Sequence, residues 1–411
     1  MKKVIVVGGG AAGMMAACVA ASNGAQVLLL EKNSCLGKKL LITGKGRCNL
    51  TNSCTREEFI NNTPGNGRFM HSAFSMFDNQ ALMDFFESRG LKLKVERGGR
   101  VFPANDEAAS IVQVLKDAIN ISEIEVLTNC AVSGISVNDS KIYVETVRGN
   151  HTADAIIIAT GGMSYPLTGS TGDGWKFARK LGLSVVEPQA SLIPLESPDS
   201  WLHEVQGLSL RNVKTTLVYN GKPIAEEFGE LLFTHFGLSG PTILTLSRAL
   251  LGCTIVPGAV RIEINLKPAL TQEVLDARLT RDFAKNSRKM LKNGFSELLP
   301  LSIIGPFLSI LPVNANKQMA QLTKTERRQI LELLQKFPVN ISGVRPVAEA
   351  IVTAGGVSVK ELNPKTMECR KIANVFFAGE TIDVDAYTGG FNLQIAFSSG
   401  YAAGMAAGKC E

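Results

Sequence analysis

One stretch limits the fold more than any other: Val4–Gly13, V-I-V-V-G-G-G-A-A-G, followed by a second apolar run, Val27–Leu30, that ends in Glu31. An unalternating apolar run reads as a parallel strand buried on both faces, and here it must turn at once into a helix. In that turn Gly8 permits the reversal, Gly10 lets backbone N–H groups approach a pyrophosphate, and Gly13 lets the helix pack on the strand. Ala11 and Ala12 open the helix, whose positive end faces the phosphates, and Gly24 is its expected left-handed stop after Asn23. Glu31, with Lys32 beside it, is placed to accept hydrogen bonds from a ribose diol. An acid there disfavours a 2′-phosphate, so the expected ligand is the adenosine half of FAD or NAD rather than NADP.

The same residues imitate a secretory signal: Lys2-Lys3, an uncharged stretch Val4–Ala21, then Ala20-Ala21-Ser22. Glycines at 8, 9, 10 and 13 interrupt its apolar centre, and cleavage would discard the feature that explains Glu31. No other stretch approaches the roughly 18–20 apolar residues of a membrane span. The expectation is a cytoplasmic protein with no membrane partner. Its 411 residues, 45% hydrophobic, allow two or three folding units with a large core. With 43 basic and 37 acidic residues the net charge is +6, and the basic residues are dispersed; the densest run, 278–292, reads as a solvated helix face, so no nucleic-acid partner is expected. Eight cysteines (18, 35, 48, 54, 130, 253, 369 and 410) include no C-x-x-C, which argues against structural zinc and against a reductase-type disulfide, and no metal site is expected.

Two later elements choose between the dinucleotides. Ala155–Ile158 leads into Ala159-Thr160-Gly161-Gly162, and Val375–Asp383 reads V-F-F-A-G-E-T-I-D. Both are strand-then-glycine turns of the kind that closes over FAD, the second bringing Gly379, Glu380 and Asp383 to the ribityl and phosphate portion. Val132, on a short strand, is placed to rest its backbone against adenine. The fold class is therefore α/β, with a Rossmann-like FAD-binding domain from residues 1–190 and 344–411. Residues 191–268 read as an inserted β-rich substrate domain, with Asn220-Gly221 as a hairpin turn, and 269–343 as a helical domain. In that domain one helix is expected over 271–292 and another from the capping box Thr323-x-x-Glu326. No second G-x-G-x-x-G occurs, so NAD(P)H could act only as a transient co-substrate.

Three segments are more specific still: Gly37–Asn52, G-K-K-L-L-I-T-G-K-G-R-C-N-L-T-N; Leu231–Pro241, L-L-F-T-H-F-G-L-S-G-P; and Phe377–Gln394, F-A-G-E-T-I-D-V-D-A-Y-T-G-G-F-N-L-Q. With them the chain resembles the bacterial NAD(P)/FAD-dependent oxidoreductases, a family that includes aminoacetone oxidase and a proposed dehydro-bile-acid reductase. The resemblance spans essentially the whole chain and implies a flavin domain carrying an inserted barrel-like β domain and a helical domain. It implies no particular substrate.

In the first segment Gly37, Gly44 and Gly46 allow a loop to approach a flavin closely, while Lys38, Lys39 and Arg47 bring positive charge to phosphates or to the reduced ring. Thr43 belongs to the same loop, and Arg47, Cys48 and Asn49 are the expected ring neighbours. In the last segment Gly389-Gly390 starts a helix whose N–H groups can face the flavin O2, with Asn392, Leu393 and Gln394 in its first turn. His235, Tyr387 and Arg47 are the candidate catalytic groups, the first two as proton donors or acceptors. The expected function is hydride transfer between a small organic substrate and flavin N5, with NAD(P)H or dioxygen as second partner and the inserted region walling the pocket. The alternative is an RNA-associated or regulatory protein in which FAD is structural.

Overall fold

The computed structural model describes residues 1–139 and 141–409; Cys410 lies outside them. The chain divides into two compact units, residues 1–191 with 347–411 and residues 192–346.

The first unit is built on five parallel strands: β1 (Lys3–Val7), β2 (Gln26–Leu30), β3 (Glu125–Leu127), β4 (Ala155–Ile158) and β5 (Val375–Phe377). Their order is β5-β4-β1-β2-β3. Val4 pairs with Val27 on one side and Ala155 on the other. Every residue of β4 and β5 is buried, as strands covered on both faces must be. The order reverses at β1, so the carboxyl ends of β1 and β4 diverge into a crevice where ligands of such sheets bind.

Helix α1 (Ala11–Ser22) leaves β1 through the glycine turn, and α2 (Phe391–Ala407) runs on well past Gly400. The two pack backbone to backbone. A methyl group added at Gly400 would stand 2.3 Å from the Ala12 carbonyl oxygen, one at Gly404 2.6 Å from that of Ala16, and one at Gly408 2.7 Å from that of Ala20. Two small three-stranded antiparallel sheets and a two-stranded one, Val185–Ser191 with Val352–Val357, complete the sheets of the unit. Of the three-stranded pair, one joins Thr51–Asn52, Arg100–Pro103 and Leu93–Glu96; the other joins Val132–Asn138, Lys141–Thr146 and Gly149–Ala153.

The second unit is a seven-stranded antiparallel sheet with helices. Its longest hairpin, Ser209–Tyr219 with Lys222–Phe233, turns at Asn220-Gly221, both left-handed as a tight two-residue turn requires. The two outer strands, Phe337–Ile341 and Gly343–Val344, are separated in the chain by Ser342 alone, so the sheet curls round toward barrel-like closure. Residues 191–268 and 269–343 do not form separate cores here: Leu275, Leu279, Phe307 and Leu334 share one apolar cluster with Val260, Ile262 and Phe337. The helix expected over 271–292 ends at Lys285, where Asn286 caps it, and the capping box at Thr323 and Glu326 is formed.

Candidate functional site

A cavity of about 390 Å³ lies at the carboxyl edge of the parallel sheet, within the roughly 300–1,000 Å³ typical of ligand pockets. The turns after four strands meet there: Gly8 and Gly10 after β1, Glu31 and Lys32 after β2, Ala159, Thr160 and Gly161 after β4, Gly379 and Glu380 after β5. Ala11, Ala12, Lys39, Thr43, Gly44, Asn49, Val132, Tyr387, Gly390, Asn392 and Leu393 complete the expected residues along its wall.

The glycine turn shows why the motif has its spacing. Gly8 stands at φ +106°, and a Cβ there would lie 2.5 Å from the Ala159 carbonyl oxygen. A Cβ on Gly13 would lie 1.8 Å from the carbonyl oxygen of Gly8, so helix and turn can touch only there. Around Gly10, by contrast, nothing lies within 4 Å of that position. Gly10 caps α1 without any side-chain hydrogen bond, and Gly390 caps α2 in the same way. Two helix N-termini with uncapped N–H groups thus open on one cavity.

Glu31 is 7% exposed. Its Oε2 accepts from Gly9 N (2.7 Å) and its Oε1 from both Asn33 N and Asn33 Nδ2 (2.7 Å each), so the acid also fastens the glycine turn. Lys32 reaches Asp173 at 2.7 Å and Thr171 at 2.6 Å. Burial works to raise the Asp173 carboxyl, but hydrogen bonds from Lys32, Lys176 and Thr171 outweigh it and bring the group to about 2.

Midway along the cavity wall Lys39 Nζ binds Glu380 Oε2 (2.7 Å) and Ser164 Oγ (2.6 Å), while Glu380 Oε1 accepts from Thr353 N (2.9 Å) and Ser164 Oγ (3.1 Å). Asn392 clamps the backbone before it. Its Oδ1 accepts from Ala386 N, and its Nδ2 donates to the carbonyls of Ala386 and Tyr387, fixing the segment that carries the Tyr387 ring.

Several expected contacts are made elsewhere. Arg47 does not line the cavity; its guanidinium binds Glu96 and Asp106 and lies 4.2 Å over the Phe102 ring. Cys48 is fully buried beneath the loop, and Gly46 has open space about it rather than a place in the wall. Gly37 is constrained by packing, since a Cβ there would meet Val112 at 2.9 Å. Gln394 is buried in a network with Thr51, Ser398 and the Phe77 carbonyl. Asp383 accepts from Asn66 Nδ2 through both its carbonyl and its carboxylate, outside the wall. His235 belongs to the second unit, exposed between two strands with its ring against Phe236. Lys38, expected to bring charge to this loop, also lines the cavity. In the other direction, Asn33, Ser164 and Thr353 were not expected. Asn33 follows Lys32 directly, but Ser164 and Thr353 carry no motif and come into place only through the tertiary fold.

Burial lifts the thiols of Cys18, Cys48 and Cys54 to about 11 from an ordinary 9.0. A thiol raised on folding favours the folded state fully below its unfolded value and loses that contribution as pH climbs toward the folded one. The melting temperature should therefore hold steady to about pH 8.5 and fall between roughly pH 9 and 11. Cys48→Ala should flatten part of that fall; a wild-type midpoint unchanged at pH 10.5 would contradict it.

Fold and cavity define the class: an α/β protein of the Rossmann type with a ligand-sized cavity at the carboxyl edge of its parallel sheet. The chain belongs to the HI0933-like protein Rossmann domain family, which matches residues 2–406. It is 27% identical to the 3-dehydro-bile acid delta(4,6)-reductase of Clostridium scindens over 94% of this chain and 93% of that one. It is 28% identical to the ribosomal RNA dihydrouridine synthase of Haemophilus influenzae, covering 93% and 92%. Among solved structures it shares the fold of the 3-ketosteroid-delta4-(5alpha)-dehydrogenase of Rhodococcus jostii, with a TM-score of 0.52 and 13% identity over 100% of this chain and 97% of that one. Among the described residues no helix is long and apolar enough to cross a membrane.

Proposed function

We propose that the protein is an FAD-dependent oxidoreductase acting on a carbon–carbon double bond conjugated to a carbonyl. The observation that carries this reading is the cavity at the sheet's switch point, into which two uncapped helix N-termini open, with a buried carboxylate on its wall. These residues fit an elongated, anionic-centred dinucleotide. Glu31 would meet the adenosine ribose, the N–H groups of Ala11 and Ala12 the pyrophosphate beside open Gly10, and Glu380 with Lys39 the polyol chain. Thr43, Gly44, Asn49, Gly390 and Leu393 would hold the ring. Bound there, FAD supplies a two-electron centre that exchanges a hydride with substrate.

The chain itself must orient the substrate and manage one proton, because saturating a conjugated double bond adds a hydride to one carbon and a proton to its neighbour. Tyr387, a residue with a hydroxyl to offer, lines the cavity on a segment that Asn392 holds still. We assign the proton to its Oη. NAD(P)H is the reductant this direction calls for. The relatives support this substrate class: a 3-dehydro-bile acid delta(4,6)-reductase and a dihydrouridine synthase are each named for a reaction at a carbon–carbon double bond near a carbonyl, one in a bile acid and one in a uracil ring. The H. influenzae relative supports a second reading, in which the small ring is a uridine within ribosomal RNA.

The test offers the FAD-loaded protein, without oxygen and with NADH or NADPH, a 3-oxo-4,6-diene sterol acid and a ribosomal RNA fragment. A mass gain of two hydrogens in one of them is expected and selects between the readings; Tyr387→Phe should slow it by about 10²-fold or more with FAD uptake unchanged. Gain in neither would overturn the double-bond chemistry. A colourless polypeptide that takes up no FAD would overturn the cofactor assignment.

A further inference from the structure

The loop Thr43–Cys48 holds an unusual backbone. Gly44, Lys45, Gly46 and Cys48 all lie in the left-handed region, at φ +57°, +59°, +85° and +57°. Two of the four carry side chains, for which this conformation is disfavoured. Such a run persists only where its surroundings hold it. On the inner side Thr43, Gly44 and Asn49 line the cavity, so the shape of the loop is the shape of that wall. On the outer side stands Arg47, spread over the three-stranded sheet of Thr51–Asn52, Leu93–Glu96 and Arg100–Pro103.

The Arg47 guanidinium is engaged there along one edge and across one face. Nε donates to Asp106 Oδ1 at 2.7 Å, Nη2 reaches Asp106 Oδ1 at 2.6 Å and also binds Glu96, and the plane rests on Phe102. The two acids are held in turn. Lys94 Nζ binds Asp106 Oδ2 at 2.6 Å, and Arg100 Nη2 stands 3.6 Å from Glu96 Oε2. Phe102 reaches the loop as well, its Cε1 lying 3.6 Å from where a Cβ on Gly44 would be. A planar, five-donor group stacked on an aromatic ring is a geometry lysine cannot reproduce.

We propose that Arg47 is a positioning residue: with Glu96, Asp106 and Phe102 it braces the left-handed loop from outside so that Gly44 and Asn49 present a preformed wall to the cofactor. This rests on the FAD reading above. The brace acts without touching the bound group, which separates it from a cation placed against the flavin.

Three measurements on the full chain test it. Trypsin cleavage after Lys45 in the FAD-free protein reads the loop directly; Arg47→Ala should speed it at least tenfold, and Arg47→Lys should restore little, although it offers trypsin the same site as wild type. FAD affinity, by flavin-fluorescence titration, should fall about tenfold or more in Arg47→Ala. The double variant Glu96→Gln/Asp106→Asn should fall by a similar factor, and the triple variant no further, with the reduction potential of the bound flavin unchanged throughout. Wild-type cleavage rates in Arg47→Ala would overturn the brace. So would an FAD affinity that responds to Arg47→Ala but not to the two acid substitutions. Failure of the wild-type protein to bind FAD would instead strike the cofactor reading, leaving the cleavage result to judge the brace alone.

Discussion

Replacing Gly10 by Asp is expected to weaken FAD binding at least a hundredfold while leaving the apoprotein as stable as wild type or slightly more so. The two effects have opposite signs because they act on different partners. Gly10 has extended backbone, φ −86° and ψ −170°, and caps α1 with no side-chain bond. Aspartate is among the best residues for that position, accepting from free N–H groups and complementing the helix dipole, an effect of about 0.5–1 kcal/mol. Nothing in the protein lies within 4 Å of its Cβ position, so the change meets no steric resistance. The space it fills, however, is the space proposed for the pyrophosphate, and it fills it with negative charge. Thermal melting of the apoprotein and fluorescence titration with FAD read the two effects separately. Near wild-type FAD affinity in Gly10→Asp would remove the pyrophosphate from this turn.

The second large effect is on stability. Gly404→Val should destabilise the folded chain by about 3 kcal/mol, since it drives a branched side chain into a close backbone contact. For a unit of this size that is a fall in melting temperature of roughly 6–12 °C. The added Cβ alone would stand 2.6 Å from the Ala16 carbonyl oxygen and 2.9 Å from the Val19 Cβ, and α1 is the helix whose first turn lines the cavity. Gly404→Ala should fall between wild type and valine. A scanning-calorimetry midpoint within 2 °C of wild type for the valine variant would show that the two helices separate more cheaply than their contact suggests.

The glycine pattern of α2 illustrates what can be read early and what cannot. Gly400, Gly404 and Gly408 recur every four residues, a spacing that lets one helix face approach another backbone. The sequence shows that spacing but not its partner, because α1 lies nearly the whole chain away. The first fingerprint was more legible, since its glycines constrain one another within a single turn: the reason for Gly13 is an oxygen five residues earlier. Arg47 shows the opposite case. Its position in a glycine-rich basic loop suggested a charge against the flavin, yet its partners Glu96, Phe102 and Asp106 come from a distant hairpin and the turn after it, and turn it away. Cys48 and Gln394 were misplaced for a related reason. Neighbouring residues in a tight loop or a helix's first turn point in different directions, and only some of them face the cavity.

The sequence by itself determined the parallel α/β architecture, the glycine turn with its acid, and the strand-ending turns that gather along one edge, because each depends on local sterics or on an uninterrupted apolar run. Only the tertiary structure decided which side chains of those turns face the cavity, that Lys39, Ser164, Thr353 and Glu380 form one network, and that residues 192–346 share a single core. Those outcomes depend on contacts between segments that are not neighbours in the chain, whose registry is fixed by packing the whole chain at once and leaves no periodic trace in any one segment.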